Sequence, residues 1–129
     1  MQNNEKRAGK KLNIALVSDF FYPNLGGVEM HEYSIGYCLI ERGHKVIAIT
    51  KNYGDRVGVR YLPNGLKVYH VPIQNIPFVK EAINPNFLMI EIIPILREIL
   101  LREEIDIIHT HQASSILGIL TSMLNYKLK

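Results

Sequence analysis

Three short apolar runs, LNIALVS (12–18), HKVIAIT (44–50) and IDIIHTH (105–111), most constrain what this chain can fold into. None alternates strictly between apolar and polar residues. Each therefore reads as a strand covered on both faces, the signature of a parallel sheet packed between helices. Between the first two runs, Gly26 and Gly27 open a segment with helical spacing that places Val28, Ile35 and Leu39 on one face and ends near Arg42. Gly43 suits its C-terminal cap. Strand, helix and strand at this spacing form a right-handed crossover unit, so the fold class is α/β, doubly wound, with a mostly parallel sheet.

Beyond the second run, VRYLPNGLKVYHVPI alternates on either side of Asn64-Gly65, which predicts a small β-hairpin closed by a type I′ turn. Helical spacing returns from Asn84 to Glu103 through Phe87, Ile92, Ile95, Leu96 and Ile99, where Pro94 must either kink the segment or open a second helix, the second being expected. After the third run, Ser114 or Ser115 can cap a last helix carrying Ile116, Ile119, Leu120, Met123 and Leu124 on one face. That helix has little following it to pack against. The chain reads as part of a larger protein.

The 129 residues suffice for one domain with a real core and are too few for two. Net charge is +3, but Lys6, Arg7, Lys10 and Lys11 against Glu5 place all of it in the first eleven residues. Residues 1–11 are expected to be a disordered basic arm and residues 12–129 a neutral domain. Neither the charge distribution nor any motif indicates nucleic-acid binding. Cys38 is the single cysteine, so no intrachain disulfide forms, and it is expected to be a small buried side chain on a helix. The apolar stretch FLMIEIIPILREILL is broken by Glu91, Pro94, Arg97 and Glu98 and does not read as a membrane span.

Two motifs map to the carboxyl ends of the strands, where open α/β sheets bind ligands. Gly26 and Gly27 lie where the chain leaves the first strand and enters a helix. Lacking β-carbons, they allow close approach to backbone N–H groups that suit a phosphate. A tight turn with Gly26 as N-cap and Glu29 answering the helix start accounts for the same residues. His109 and His111 form the second motif, and on an extended chain both rings turn to one side. They suit contact with a sugar or phosphate, or a structural role. A metal lacks a third ligand. Asp19 and Asn24 can offer hydrogen bonds to hydroxyls, beside a lip or packing cluster formed by Phe20, Phe21, Tyr22 and Pro23. His31 suits a helix surface or the crevice, and His44 and His70 read as structural.

Taken in order, NIALVSDFFYPNLGGVEMH, CLIERGHKVIAIT, GVRYLPNGLKVYHVPI and IIHTHQAS resemble the phosphatidylinositol glycan class A family, retaining glycosyltransferases of family 4 with the GT-B fold. The resemblance spans roughly residues 12–115. It implies the truncated N-terminal, Rossmann-like, acceptor-side half of a two-domain clamp. The implied reaction transfers N-acetylglucosamine from UDP-N-acetylglucosamine to phosphatidylinositol, at the cytoplasmic face of the endoplasmic reticulum membrane and within a complex of other subunits. Carried onto this sequence, it gives Gly26, Gly27 and His109 to the donor diphosphate or sugar and His111 to positioning and electrostatic stabilisation. Asp19, Asn24 and Glu29 fall to hydroxyl contacts, and no cofactor or metal is implied. The second domain, its acidic nucleotide-sugar motif and the membrane anchor have no counterpart here, so the chain is expected to be inactive alone. A noncatalytic partner acting only by docking is the competing reading. A nicotinamide oxidoreductase is disfavoured, because the second strand ends without an acidic ribose ligand.

Overall fold

The computed structural model describes residues 9–18, 27–51, 58–71, 85–110 and 116–128. They form five strands and three helices: β1 (Asn13–Val17), α1 (Gly27–Glu41), β2 (Lys45–Lys51), β3 (Gly58–Tyr61), β4 (Lys67–Val71), α2 (Pro85–Arg102), β5 (Ile107–Thr110) and α3 (Ile116–Leu128). The sheet order is β3-β4-β2-β1-β5. All neighbours are parallel except β3 and β4, which pair as an antiparallel hairpin. The expected mostly parallel α/β sheet with a small hairpin is thus the observed one.

The continuous apolar runs are explained by cover on both faces. Ile14, Leu16, Val46, Ala48 and Val68 pack beneath α1, against Tyr33, Ile35, Leu39 and Ile40. The alternate residues Ala15, Val17, Ile47, Ile49, Tyr69 and Val71 pack on the other face against Ile92, Leu96, Ile99 and Leu100 of α2 and Leu117 and Leu120 of α3. At about 25 cal/mol per Å² of apolar area removed from water, these two clusters are the main source of stability.

α1 ends as its sequence predicts. Gly43 takes φ +87°, and the bonds Gly43 N–H to Ile40 O and His44 N–H to Leu39 O complete a Schellman cap. His44 is structural: its Nδ1 accepts the Leu12 N–H at 3.1 Å. Mid-helix, Gly36 brings α1 close to the sheet. A Cβ there would lie 3.3 Å from Leu66 Cδ2 and 3.5 Å from Leu16 Cδ1. Gly36→Val is accordingly expected to cost about 2 kcal/mol by overpacking. Gly36→Ala is expected to be nearly neutral, its helix-propensity gain of up to about 1 kcal/mol offsetting the tight contact. Urea melts of the two variants distinguish these outcomes.

Four expectations are corrected. The hairpin turn is not type I′, since Gly65 has φ +87° but Asn64 does not have positive φ. Pro63 fixes its own φ near −65° and so forces an ordinary turn from Leu62 to Gly65, closed by Gly65 N–H to Leu62 O and by Asn64 Oδ1 accepting the Leu66 N–H. Pro94 lies inside the single helix α2 instead of opening a second one, because it is exposed while Ile92, Leu96, Ile99 and Leu100 keep one buried stripe running past it. On α3 the buried face is Leu117, Leu120 and Thr121, with Leu124 and Leu128 packed beside it; Ile119 and Met123 are exposed. The helix is rotated so that Leu117, rather than Ile119, meets the core. Cys38 is exposed, one position before the Leu39 that occupies the packed face of α1. The Ser114 and Ser115 caps and residues 1–8 of the basic arm lie outside the described residues.

A charged cluster that the sequence did not announce ties the amino ends of the strands to the end of α2. Glu103 is buried, with its side chain 5% exposed. It receives Lys45 Nζ at 2.8 Å, Lys67 Nζ at 2.6 Å and a hydrogen bond from the Tyr69 hydroxyl. Lys45 also donates to the Glu103 carbonyl oxygen at 3.0 Å. Burial alone pushes the carboxyl pKa up, but the bonds from Lys45, Lys67 and Tyr69 outweigh it and hold the group at about 2, below its ordinary 4.5. Lys67 is raised, chiefly by its bond to Glu103. Tyr69 is raised by burial first and by Glu103 second. A depressed carboxyl favours the folded state above the unfolded pKa. This contribution is complete above about pH 4.5 and disappears as pH falls toward 2. Denaturation followed between pH 6 and pH 2 should show that loss in wild type and a weaker slope in Glu103→Gln.

Candidate functional site

The site expected from the sequence is built on the carboxyl rim of the two neighbouring strands β1 and β5. Their register aligns Leu16 with His109 and Val17 with Thr110, so the two strands end side by side. The chain leaving β1 leads to Gly26-Gly27 and the chain leaving β5 leads to His111. Gly27 is the first residue of α1, is exposed, and has open space around the position of a Cβ. A helix start with free backbone N–H groups carries about half a positive charge, suited to an anion.

His109 is exposed on β5. Its register with Leu16, which packs under α1, puts it on the α1 side of the sheet. Glu29 lies in the first turn of α1. His31 is exposed on the same helix. Asp19, Asn24, Gly26 and His111 lie outside the described residues, so the structure pairs β1 with β5, the strands from which the chain runs on to Gly26 and His111, and of the two motifs describes only Gly27 and His109.

Two polar residues at this rim were missed by sequence reasoning. Ser18 follows β1, is 3% exposed, and donates its N–H to Ile49 O at 3.1 Å. Its hydroxyl donates to Glu32 Oε2 at 2.7 Å, and Glu32, in the second turn of α1, is only 1% exposed. A buried carboxylate requires hydrogen-bond partners. This pair fastens the start of α1 to the end of β1. The sequence signal was available: Glu32 falls on the stripe of Val28, Ile35 and Leu39, where an apolar residue is expected.

At the far end of the same rim, His70 of β4 is buried with Nδ1 3.3 Å from Lys51 O. It helps line a cavity of about 190 Å³ with Gly58, Tyr69, Ile95, Glu98 and Arg102. Strands β2 and β1 separate this cavity from β5. Among the described residues no three His, Cys, Asp or Glu side chains are grouped as metal ligands. No described helix is long and apolar enough to cross a membrane.

Known proteins resemble this chain in sequence. The family model PIGA (GPI anchor biosynthesis) matches residues 51–127, about three-fifths of the chain. The chain belongs to the PIGA family. The human relative, from Homo sapiens, is named as a subunit of phosphatidylinositol N-acetylglucosaminyltransferase; it is 50% identical over 103 residues, covering 80% of this chain and 20% of the human protein. Its counterpart of the same name from Arabidopsis thaliana is 50% identical over 107 residues, covering 83% of this chain and 23% of its own length. The GPI3 subunit of the same transferase from Saccharomyces cerevisiae is 53% identical over 103 residues, 80% of this chain and 22% of the yeast protein. The chain thus spans about a fifth of the length of the PIGA relatives it matches.

Proposed function

We propose that this chain is the N-terminal, acceptor-side domain, residues 12–129, of a glycosyltransferase that moves N-acetylglucosamine from UDP-N-acetylglucosamine to phosphatidylinositol in GPI-anchor biosynthesis. The observation that carries this reading is the pairing of Val17 with Thr110, which sets the exits toward the glycine pair and the histidine pair on adjacent strands. Membership of the PIGA family, and relatives named for this transferase, support the choice of sugar and acceptor.

In this reading the backbone N–H groups at Gly26 and Gly27 meet the donor diphosphate or the reacting sugar. His111, with His109 beside it, orients the donor sugar and stabilises charge that develops as the diphosphate leaves. Asp19, Asn24 and Glu29 bond hydroxyls. No protein base and no metal is needed for these roles. Other subunits of the transferase complex, at the cytoplasmic face of the endoplasmic reticulum membrane, complete the setting. The isolated chain does not catalyse transfer, because the nucleotide-sugar grip comes from a second domain.

The experiment is an assay of labelled N-acetylglucosamine incorporation into phosphatidylinositol. Membranes from cells deleted for their own PIGA-family protein receive either this chain or the same chain continued to the length of its relatives. Transfer by the long form alone is expected. Partner binding without transfer by the long form would leave the noncatalytic docking reading in its place.

A further inference from the structure

The sheet changes character along its length on the side that α1 covers. Leu16, Ala48 and Val68 belong to the apolar core there. Side chains alternate along a strand, so two residues nearer the carboxyl rim the same face carries Ser18, Thr50 and His70, each at most 3% exposed. The three stand in a row. Ser18 N–H donates to Ile49 O beside Thr50, and Thr50 pairs with His70 across β2 and β4.

This row alters how α1 is held. Among the described residues, the apolar packing of α1 on the sheet begins at Tyr33 and runs on through Ile35, Leu39 and Ile40. Ahead of it Gly27, Met30 and His31 are exposed, and among the described residues of these first turns Glu32 alone is buried. Its Oε2 accepts the Ser18 hydroxyl at 2.7 Å. The start of α1 thus lies over polar sheet positions and meets them through a hydrogen bond. Apolar contact tolerates sliding of one element over another, whereas an O–H···O bond fixes both separation and direction.

We infer that Ser18 and Glu32 are positioning residues for sugar transfer. Their bond sets the height and tilt of the first turn of α1 over the end of β1, and with it the aim of the backbone N–H groups at Gly27 toward the donor. Both side chains are buried, so they act through the helix start rather than on the substrate. The inference rests on the transfer reading proposed above. A bond that served stability alone would be replaceable by an apolar pair, because removing both polar partners leaves neither one unsatisfied.

The test is made in full-length protein, in membranes from cells deleted for their own PIGA-family protein, with a melting curve for each variant. Ser18→Ala and the double variant Ser18→Ala/Glu32→Leu should raise KM for UDP-N-acetylglucosamine about tenfold and change kcat less than about threefold, as when a contact made alike by bound donor and transition state is misaligned. Glu32→Gln keeps an acceptor for the hydroxyl and should stay within about twofold of the wild-type KM. Thr50→Val removes a buried hydroxyl of the same row that has no hydrogen-bond partner among the described residues, and should leave KM unchanged. A wild-type KM in the double variant overturns the inference. Hydrogen exchange in the 129-residue chain reads the bond without any transfer: Ser18→Ala should speed exchange at residues 30–34 about tenfold and leave residues 45–51 unchanged. No change at residues 30–34, or an equal change at residues 45–51, also overturns it. Faster local exchange together with no transfer by the unsubstituted full-length protein would overturn the transfer reading instead, while upholding the hold of Ser18 and Glu32 on the helix start.

Discussion

Glu103→Ala is expected to destabilise the folded chain by about 3 kcal/mol, lowering its melting temperature by roughly 10 °C. The size follows from what the substitution leaves behind. Glu103 is the shared acceptor for Lys45, Lys67 and the Tyr69 hydroxyl, and all three lose it together. Lys45 is 46% exposed and can return to water, and Lys67, at 25%, can do so in part, which places the loss at the lower end of the range for broken buried ion pairs. Tyr69 cannot: it is 6% exposed within the core beneath α2, and its hydroxyl would remain buried without its acceptor. Glu103→Gln keeps an acceptor and should lose about half as much. Glu98→Ala removes only an exposed pair with Arg102 and should change stability by less than about 0.5 kcal/mol. Equal melting temperatures for Glu103→Ala and Glu98→Ala would show that the cluster contributes nothing beyond its surface charge.

In a protein of full length, His111→Ala is expected to reduce kcat/KM for transfer to phosphatidylinositol by about a hundredfold, the scale on which removing one transition-state hydrogen-bond donor acts. The loss should fall mainly on kcat, because a group assigned to charge stabilisation works harder in the transition state than in the bound donor. His109→Ala, on an exposed strand position, should cost less than tenfold. His111→Asn, which retains a donor of similar reach, should recover part of the rate. Full activity in His111→Ala would remove the imidazole from the proposed site while leaving the fold and the family assignment untouched. Melting curves of the same variants separate this outcome from unfolding.

How legible the site was can be judged residue by residue. The glycine pair and the H-x-H pattern were visible because each breaks local expectation: paired glycines between strand and helix, and imidazoles in an apolar strand. No local pattern reveals that the strands leading to them lie side by side; that is decided by the β1–β5 pairing, a contact between residues more than ninety positions apart, of which Val17 with Thr110 is the last pair. Glu32 and Ser18 were overlooked for the opposite reason. A glutamate on a helix reads as solvent-facing even on an apolar stripe, and the approach of α1 to the end of β1 shows which partner its burial meets, a serine hydroxyl.

The sequence by itself determined the elements and their class: uninterrupted apolar runs can be satisfied only by cover on both faces, and Gly43 ends α1 because a left-handed residue is needed there. Tertiary structure alone decided which face of α3 is buried, that α2 continues through Pro94, and that Glu103 gathers Lys45, Lys67 and Tyr69. Period and propensity are local quantities, fixed by residues a few positions apart. The depth at which a side chain ends, and the partner it meets there, depend on elements brought together from distant parts of the chain, and those are fixed only when the sheet and its two helical layers close on one another.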